Sequence, residues 1–105
     1  MSEIGRGTTA LNSFKTSCDL RNATVMYITY VQDDRVVFEK TLADVTEITE
    51  EKVVVQLTQE DTLLLNSDMK VEVQIRAGFG GDNGARLISN IFKADVGRIL
   101  KEGAI

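Results

Sequence analysis

The side chains best suited to acid–base chemistry in this sequence are three acidic doublets, at positions 33–34 (Asp-Asp), 50–51 (Glu-Glu) and 60–61 (Glu-Asp). Two carboxylates can serve as general acid and general base when a cleft holds them at different pKa values. Each doublet here stands where the pattern predicts a turn or a helix start, and acidic side chains are frequent there because they hydrogen-bond the local backbone. We therefore interpret all three doublets as solvated turn and cap residues without a catalytic role.

The residue types needed for nucleophilic or metal-based catalysis are missing. The chain of 105 residues contains no His and one cysteine, Cys18. A Ser-His-Asp or Cys-His system therefore cannot form, and one thiol makes neither an internal disulfide nor a cysteine-ligated zinc site. We expect Cys18 to be a small, partly buried apolar side chain. We expect no metal, no cofactor and no enzymatic activity.

The glycine-rich stretch 78–84 (Gly-Phe-Gly-Gly-Asp-Asn-Gly) is another place where a ligand could bind. A phosphate-binding loop leads from a strand into a helix, whereas this stretch joins two predicted strands, so we exclude that function. Asp82 and Asn83 could ligate calcium, but the spacing of a dedicated calcium loop is missing and a plain Asn-Gly hairpin turn is favoured. Phe79 at the loop tip either folds back over the end of the domain or contacts a binding partner.

The charge balance argues against nucleic acid as a partner. The chain has 12 Lys and Arg against 16 Asp and Glu, a formal charge of −4 and a pI near 4.8, and its basic residues are scattered. Phosphate backbones are bound through clustered positive charge, so we expect no nucleic-acid binding. No apolar run approaches the roughly 20 residues that span a bilayer, and the N-terminus lacks the apolar core of a signal peptide. We therefore expect no membrane insertion and synthesis as a cytoplasmic protein.

The elements that position these residues are predicted to be β-strands. Val, Ile and Thr make up 29 of the 105 residues, and β-branched side chains favour pleated sheets. The clearest strand is 69–76, where apolar and polar residues alternate with the period of two typical of a half-buried antiparallel strand. Similar patterns predict further strands within 7–16, 24–32, 35–41, 47–49, 52–58 and 85–96. About seven strands in a chain of this length indicate an all-β, immunoglobulin-like antiparallel β-sandwich, formed as a single domain over 1–105.

Two of the predicted strands have unusual faces. Strand 24–32 is apolar or amphipathic on both faces, which fits either a central strand covered on both sides or an outer face that binds a partner. In strand 85–96, Ile88 shares a face with Phe92, and a bulge near 90–91 is predicted to turn Ile91 inward. Helical structure is limited to one or two short turns, one over about 58–65 and one over 98–102 before a glycine stop.

The C-terminal tail, residues 98–105, is the strongest interaction signal in the sequence. It carries three large aliphatic side chains, Ile99, Leu100 and Ile105. Chain ends without a partner are usually polar and frayed, so we expect these side chains to dock either on their own domain or on a neighbouring subunit. We assign them as the primary candidate interface and Phe79 as a secondary one. Residues 1–6 are predicted to form an N-terminal arm.

Three stretches of the sequence carry a family resemblance. They are 6–9 (Arg-Gly-Thr-Thr), 57–63 (Leu-Thr-Gln-Glu-Asp-Thr-Leu) leading into 70–76 (Lys-Val-Glu-Val-Gln-Ile-Arg), and 89–91 (Ser-Asn-Ile) preceding 96–103 (Val-Gly-Arg-Ile-Leu-Lys-Glu-Gly). Together they resemble a family of short proteins from the structural-gene regions of phages and prophages of Gram-positive bacteria, near the tail or baseplate genes. The order of elements is also similar to the immunoglobulin-like N-terminal domains of phage baseplate proteins. The chain departs from that pattern over 10–19, where a proline is expected in the first strand.

The resemblance implies a non-enzymatic structural or assembly protein of a phage or prophage virion. Such a protein would act through protein–protein docking, either with other phage structural proteins or with further copies of itself. Its expected location is the virion or the cytoplasm of the bacterial host. The alternative is a ligand-binding or adhesion module that recognises a carbohydrate or a host surface. This alternative is the weaker hypothesis, because sugar sites use aromatic platforms and the chain has no Trp.

Overall fold

Two β-sheets that share one apolar core make up the protein. A computed structural model describes residues 3–81 and 83–105. Its strands are β1 (Glu3–Gly5), β2 (Leu11–Lys15), β3 (Val25–Gln32), β4 (Arg35–Thr41), β5 (Val45–Ile48), β6 (Lys52–Gln56), β7 (Val71–Gly78), β8 (Arg86–Ile88) and β9 (Phe92–Gly97). A 3₁₀ turn spans Leu42–Asp44, and the α-helix α1 spans Gln59–Leu63.

The strand order confirms the predicted immunoglobulin-like β-sandwich. One sheet has the order β1-β9-β7-β3-β4, with β8 also paired to β7, and the other has the order β2-β6-β5. In an immunoglobulin fold, strands B, E and D lie side by side in one sheet while G, F and C lie in the other. Here β2, β6 and β5 correspond to B, E and D, while β9, β7 and β3 correspond to G, F and C. Among the described residues, no strand occupies the position of strand A beside β2.

The central hairpin forms where the sequence predicts it. Strands β3 and β4 pair antiparallel and are joined by Asp33 and Asp34. Both residues have positive φ angles, 53° and 59°, which is the backbone geometry of the two-residue turns that match the twist of a hairpin. Aspartate tolerates this conformation better than most side chains. The doublet at 33–34 is therefore turn chemistry, as predicted.

The last predicted strand is broken in two, and this break changes which side chains face inward. Residues 89–91 leave the ladder between β8 and β9, and Ser89 bridges the gap, since its hydroxyl accepts the N–H of Ile75 at 2.9 Å. Because of this interruption, the inward and outward side chains of β8 and β9 do not follow one continuous period of two. Ile88 is 65% exposed and Ile91 is 55% exposed, so the prediction that both face the core is wrong.

Three further differences concern the ends of the chain and its helices. The predicted N-terminal arm contains β1, which pairs parallel with β9. The tail 98–105 contains no helical turn, so the turn predicted over 98–102 is wrong, whereas the unpredicted 3₁₀ turn at Leu42–Asp44 forms. The helix predicted over 58–65 is present as the shorter α1. No helix in the described parts of the chain is long and apolar enough to cross a membrane.

The outer face of β3 is open to solvent. Val25 and Tyr27 are both exposed, while Met26, Ile28 and Tyr30 on the opposite face are buried. The sequence predicts for the two apolar faces of this strand either coverage on both sides or a partner on the outer face. Coverage on both sides is therefore wrong. An exposed apolar face of this kind is available for a partner.

An aromatic cluster joins the two sheets at the centre of the core. Immunoglobulin domains place a Trp of strand C against a disulfide between strands B and F; this chain has no Trp, and its one cysteine cannot form an internal disulfide. Instead, Phe14 of β2 packs edge-to-face on Tyr30 of β3, with ring centroids 6.5 Å apart, and lies 5.0 Å from the Phe92 ring. The Tyr30 hydroxyl donates a 2.6 Å hydrogen bond to Oδ1 of the buried Asn12.

The buried hydroxyl of Tyr30 predicts a loss of stability at alkaline pH. Burial, together with the charge of Asp61, raises the pKa of Tyr30 well above its usual value. The unfolded tyrosine ionises near pH 10 while the folded one stays neutral, so stability falls as pH rises above about 10, by up to about 1.4 kcal/mol per pH unit. Urea unfolding of the wild type and Tyr30→Phe between about pH 8 and 11 should show this slope only in the wild type.

The matched control for this experiment is Tyr27→Phe. Tyr27 is exposed, so this variant should keep the alkaline slope of the wild type. Tyr30→Phe should also lose about 1–3 kcal/mol at neutral pH, because the side-chain oxygen Oδ1 of Asn12 is left buried without its donor. Equal alkaline slopes for the wild type and Tyr30→Phe would contradict the assignment.

Candidate docking surfaces

The acidic doublets lie in two turns and at the start of α1, where the sequence predicts turns and a helix start. Glu50 and Glu51 lie exposed in the turn before β6, and Asp61 caps α1 and pairs with Lys40. Within residues 3–81 and 83–105, no three His, Cys, Asp or Glu side chains are grouped closely enough to hold a metal ion. Cys18 is exposed, so the expectation that it is partly buried is wrong.

Polar contacts hold the tail 98–105 on its own domain. The side-chain amide of Gln59 makes two reciprocal hydrogen bonds with the backbone of Ile105, at 2.9 and 2.8 Å. The guanidinium of Arg6 donates to both carboxylate oxygens of Glu102, one at 3.0 Å, and to the carbonyl oxygen of Leu63 at 3.1 Å. The tail therefore crosses α1 and the segment that follows β1.

The three aliphatic side chains of the tail do not share one environment. Ile99 is half-buried, and its Cδ1 would lie 3.3 Å from a Cβ placed on Gly7, whose φ is +73°. Gly7 thus allows the chain to pass close to Ile99. In contrast, Leu100 is 94% exposed and Ile105 is fully exposed. The structure therefore brings Ile99 onto the domain and leaves Leu100 and Ile105 facing solvent.

The start of α1, which the tail crosses, is determined by residues close together in the sequence. Thr58 and Asp61 form a reciprocal cap at the start of α1: the Thr58 hydroxyl accepts the Asp61 N–H at 3.1 Å, and the Asp61 carboxylate accepts the Thr58 N–H at 2.9 Å. This capping box sets where the helix begins and so where Gln59 stands. The hydrogen bond with Arg6 lowers the pKa of Glu102, and the same bond raises the pKa of Arg6. At neutral pH both groups are charged and the contact is an ion pair.

Phe79, the secondary candidate for an interface, packs against the core of its own domain. Its side chain is partly buried and packs against the core cluster. Its backbone N–H donates to the carbonyl oxygen of Ala85 at 3.0 Å, which closes the glycine-rich loop. The Arg86 guanidinium donates to the carbonyl oxygens of Phe79, Gly84 and Ala85 and also contacts Gly81. Asp82 of the suggested calcium pair lies outside the described residues.

An apolar groove is the feature that the sequence analysis missed. It has a volume of about 280 Å³ and opens between the segment after β2 and the strands β7, β8 and β9. Its apolar wall consists of Leu20, Ile75, Ala77, Leu87, Ile88 and Phe92. These side chains come from four separate segments, so no local motif marks them. Cys18 lies at the rim of the groove.

Comparisons with known proteins add two structures of similar fold. No protein-family profile matches the chain, and no curated protein sequence matches it. The immunoglobulin-like domain of mouse leukocyte-associated immunoglobulin-like receptor 1, crystallised as a strand-swapped dimer, is 14% identical over 90% of this chain and 84% of that chain, with a TM-score of 0.45. The V domain of amphioxus IgVJ-C2 is 13% identical over 92% of this chain and 99% of that chain, with a TM-score of 0.43. The strand order of this chain, rather than these likenesses, defines its fold.

Proposed function

We propose that this protein is a non-enzymatic docking module whose C-terminal tail binds another protein. The observation that carries the proposal is the position of Leu100 and Ile105: both are exposed, although polar contacts fix the tail that bears them. Because polar contacts already hold the tail in place, a partner that covers these side chains has little additional backbone to order. Burying each of the two would contribute about 1.5–3 kcal/mol to binding.

The biological setting that we propose is a phage or prophage, in which the chain serves as a small structural or assembly protein of the virion. The sequence resemblance described above supports this setting. The partners would be other phage structural proteins or further copies of the same chain. A virion component that is present in many copies is held by several weak contacts that act together. A tail that is held in place and carries two apolar anchors could supply one such contact per copy.

The experiment that tests docking between copies compares the wild type with a Leu100→Asp, Ile105→Asp double variant. We expect the solution mass of the wild type, measured by light scattering over a concentration series, to rise above that of a monomer. The double variant should remain monomeric, because a charge cannot enter an apolar contact without loss of its hydration. Both proteins should melt at the same temperature, since both side chains already face solvent.

The matched control is Val36→Asp. Val36 lies on β4 and is 63% exposed, so this variant makes the same kind of change away from the tail. It should assemble like the wild type. A wild type that stays monomeric at every concentration, or equal dissociation by Val36→Asp, would contradict tail-mediated docking between copies. Unfolding of the tail variant would show that the tail belongs to the core.

A further inference from the structure

The outer edge of β2 carries a row of backbone groups that no strand of the described chain uses. Strand β2 pairs antiparallel with β6, and the bonds from Leu57 to Ala10 and from Thr16 to Glu51 fix which residues face β6. Because hydrogen-bonded and non-hydrogen-bonded pairs alternate along an antiparallel ladder, positions 10, 12, 14 and 16 bond to β6. The N–H and C=O groups of positions 11, 13 and 15 therefore point to the free edge.

This edge is regular and lightly protected. Natural sheets protect their edges with bulges, prolines, very short strands or charged side chains, and of these β2 carries a single lysine, Lys15. The free edges of β4 and β5 belong to strands with register shifts, whereas the register of β2 with β6 runs unbroken over all five residues of Leu11–Lys15. The edge of β2 is also the edge where strand A lies in immunoglobulin domains.

The apolar groove lies beside the C-terminal end of this edge. Lys15 at the end of β2 lines the groove, and so do Thr16, Ser17, Cys18 and Leu20 in the segment that follows. A strand added to the edge of β2 would point alternate side chains in the same direction as Asn12 and Phe14, which is toward the core. Those side chains would meet the groove wall formed by Leu87 and Phe92.

The charges around the edge indicate what such a strand would carry. Lys15 is the one charged residue that lines the groove, and it stands directly opposite Lys52 in the ladder. Like charges in this arrangement repel each other. Glu47 lies 3.4 Å from Lys52, but Lys15 makes none of the ion pairs found among the described residues. A carboxylate that arrived next to Lys15 would offset this repulsion.

We propose that the free edge of β2 and the adjacent groove bind an extended acidic and apolar segment of another polypeptide by strand addition. Main-chain hydrogen bonds to Leu11, Ser13 and Lys15 would supply affinity. Apolar side chains of the segment would fill the groove, and a carboxylate beside Lys15 would set the charge preference. This site does not include the tail, so it stands independently of the proposed function.

The test uses two capped peptides of equal length, one of alternating valine and glutamate and one of alternating valine and lysine. NMR titration of the full chain should show the glutamate peptide shifting the amide resonances of Leu11, Ser13 and Lys15. The lysine peptide should bind more weakly, by up to about fivefold, since opposite-charge pairs across strands contribute up to about 1 kcal/mol. Lys15→Glu should reverse this preference, whereas Lys101→Glu in the tail should not change it.

A proline tests the strand-addition geometry. Ser13→Pro removes an N–H that faces the free edge and is not used in the ladder with β6, so the fold should tolerate it. The variant should lose peptide binding, while Ser13→Ala should retain it. If Ser13→Pro unfolds, hydrogen exchange in the wild type provides the same test, because bound peptide must slow exchange at positions 11, 13 and 15.

Several outcomes would overturn the proposal. They are shifts that map to β4 instead of β2, equal binding of the two peptides, and unchanged exchange at the three amides. Protection of these amides in the free protein at high concentration would show that a second copy of the chain occupies the edge instead. The Leu100→Asp, Ile105→Asp variant should bind the glutamate peptide like the wild type, which separates this site from tail-mediated docking.

Discussion

Replacing Phe14 with Ala is expected to lower the free energy of unfolding by about 3–5 kcal/mol. Phe14 is completely buried and touches the aromatic rings of both Tyr30 and Phe92. The substitution removes apolar contact area. It also leaves a cavity, because the two sheets are held by their other contacts and cannot close the gap. A domain of this size has a total stability of about 5–15 kcal/mol, so the substitution should remove a large fraction of the stability of the protein.

The measurement is urea unfolding followed by circular dichroism, with Phe14→Leu as the matched control. Leucine keeps most of the apolar volume and should cost less than half as much as alanine. The chain has one cysteine, so no internal disulfide can hold the sheets together when this cluster is weakened. A loss of less than about 1 kcal/mol in Phe14→Ala would show that the aromatic cluster does not join the two sheets.

Local alternation was sufficient to predict most of the sandwich. Strands β3, β4, β6 and β7 lie within a few residues of their predicted ranges, because each buries one face and its apolar residues must therefore repeat with period two. The helix at the corner between β6 and β7 was also predictable, since Thr58 and Asp61 form a capping box at the expected spacing. These features depend on residues close together in the chain.

The features that the sequence did not predict depend on distant partners. Strand β1 has three residues and exists because β9 offers a parallel edge, which no local pattern of Glu3–Gly5 reveals. The break between β8 and β9 depends on the Ser89 hydroxyl replacing a ladder bond to β7. Ile88 and Ile91 therefore face solvent despite a pattern that favours burial.

The candidate docking surfaces also combine features that nearby residues determine with features that depend on distant partners. The sequence showed that the tail is rich in aliphatic residues. It also predicted that these residues dock either on their own domain or on a neighbouring subunit. That Ile99 lies inward while Leu100 and Ile105 face solvent follows from contacts with Gly7, Gln59 and Arg6. The groove beside β2 was not predictable at all, since it exists only after four segments have come together.

Replacing Asp61 with Ala is expected to lower the free energy of unfolding by about 2–4 kcal/mol, which combines a lost cap with a broken, largely buried ion pair. Asp61 accepts the Thr58 N–H and pairs with Lys40 of β4, and the two charged side chains are only 17% and 12% exposed. The loss leaves the ammonium of Lys40 without its partner. It also frees the start of α1, which carries Gln59 and hence one attachment of the tail.

The same pair should make the protein sensitive to acid. Burial on its own would raise the pKa of Asp61, but hydrogen bonds from Lys40 and Thr58 outweigh it and hold the pKa below its usual value of 3.8. A carboxyl whose pKa is lowered by folding stabilises the native state above its unfolded pKa, and this contribution is lost as pH falls through the folded pKa. Stability should therefore fall below about pH 4, and it should fall less steeply in Asp61→Ala than in the wild type.

Unfolding curves at pH 7 and at several values below 4 would measure both effects for the wild type, Asp61→Ala and Lys40→Met. Glu60→Ala is the matched control, because it removes a neighbouring exposed carboxylate and should change stability by less than about 0.5 kcal/mol. If a variant that combines Asp61→Ala with Lys40→Met loses less free energy of unfolding than the sum of the two single losses, the difference is the coupling between Lys40 and Asp61. Additive losses with an unchanged acid slope would mean that Asp61 acts only as a helix cap, and that β4 and α1 are held together by apolar packing alone.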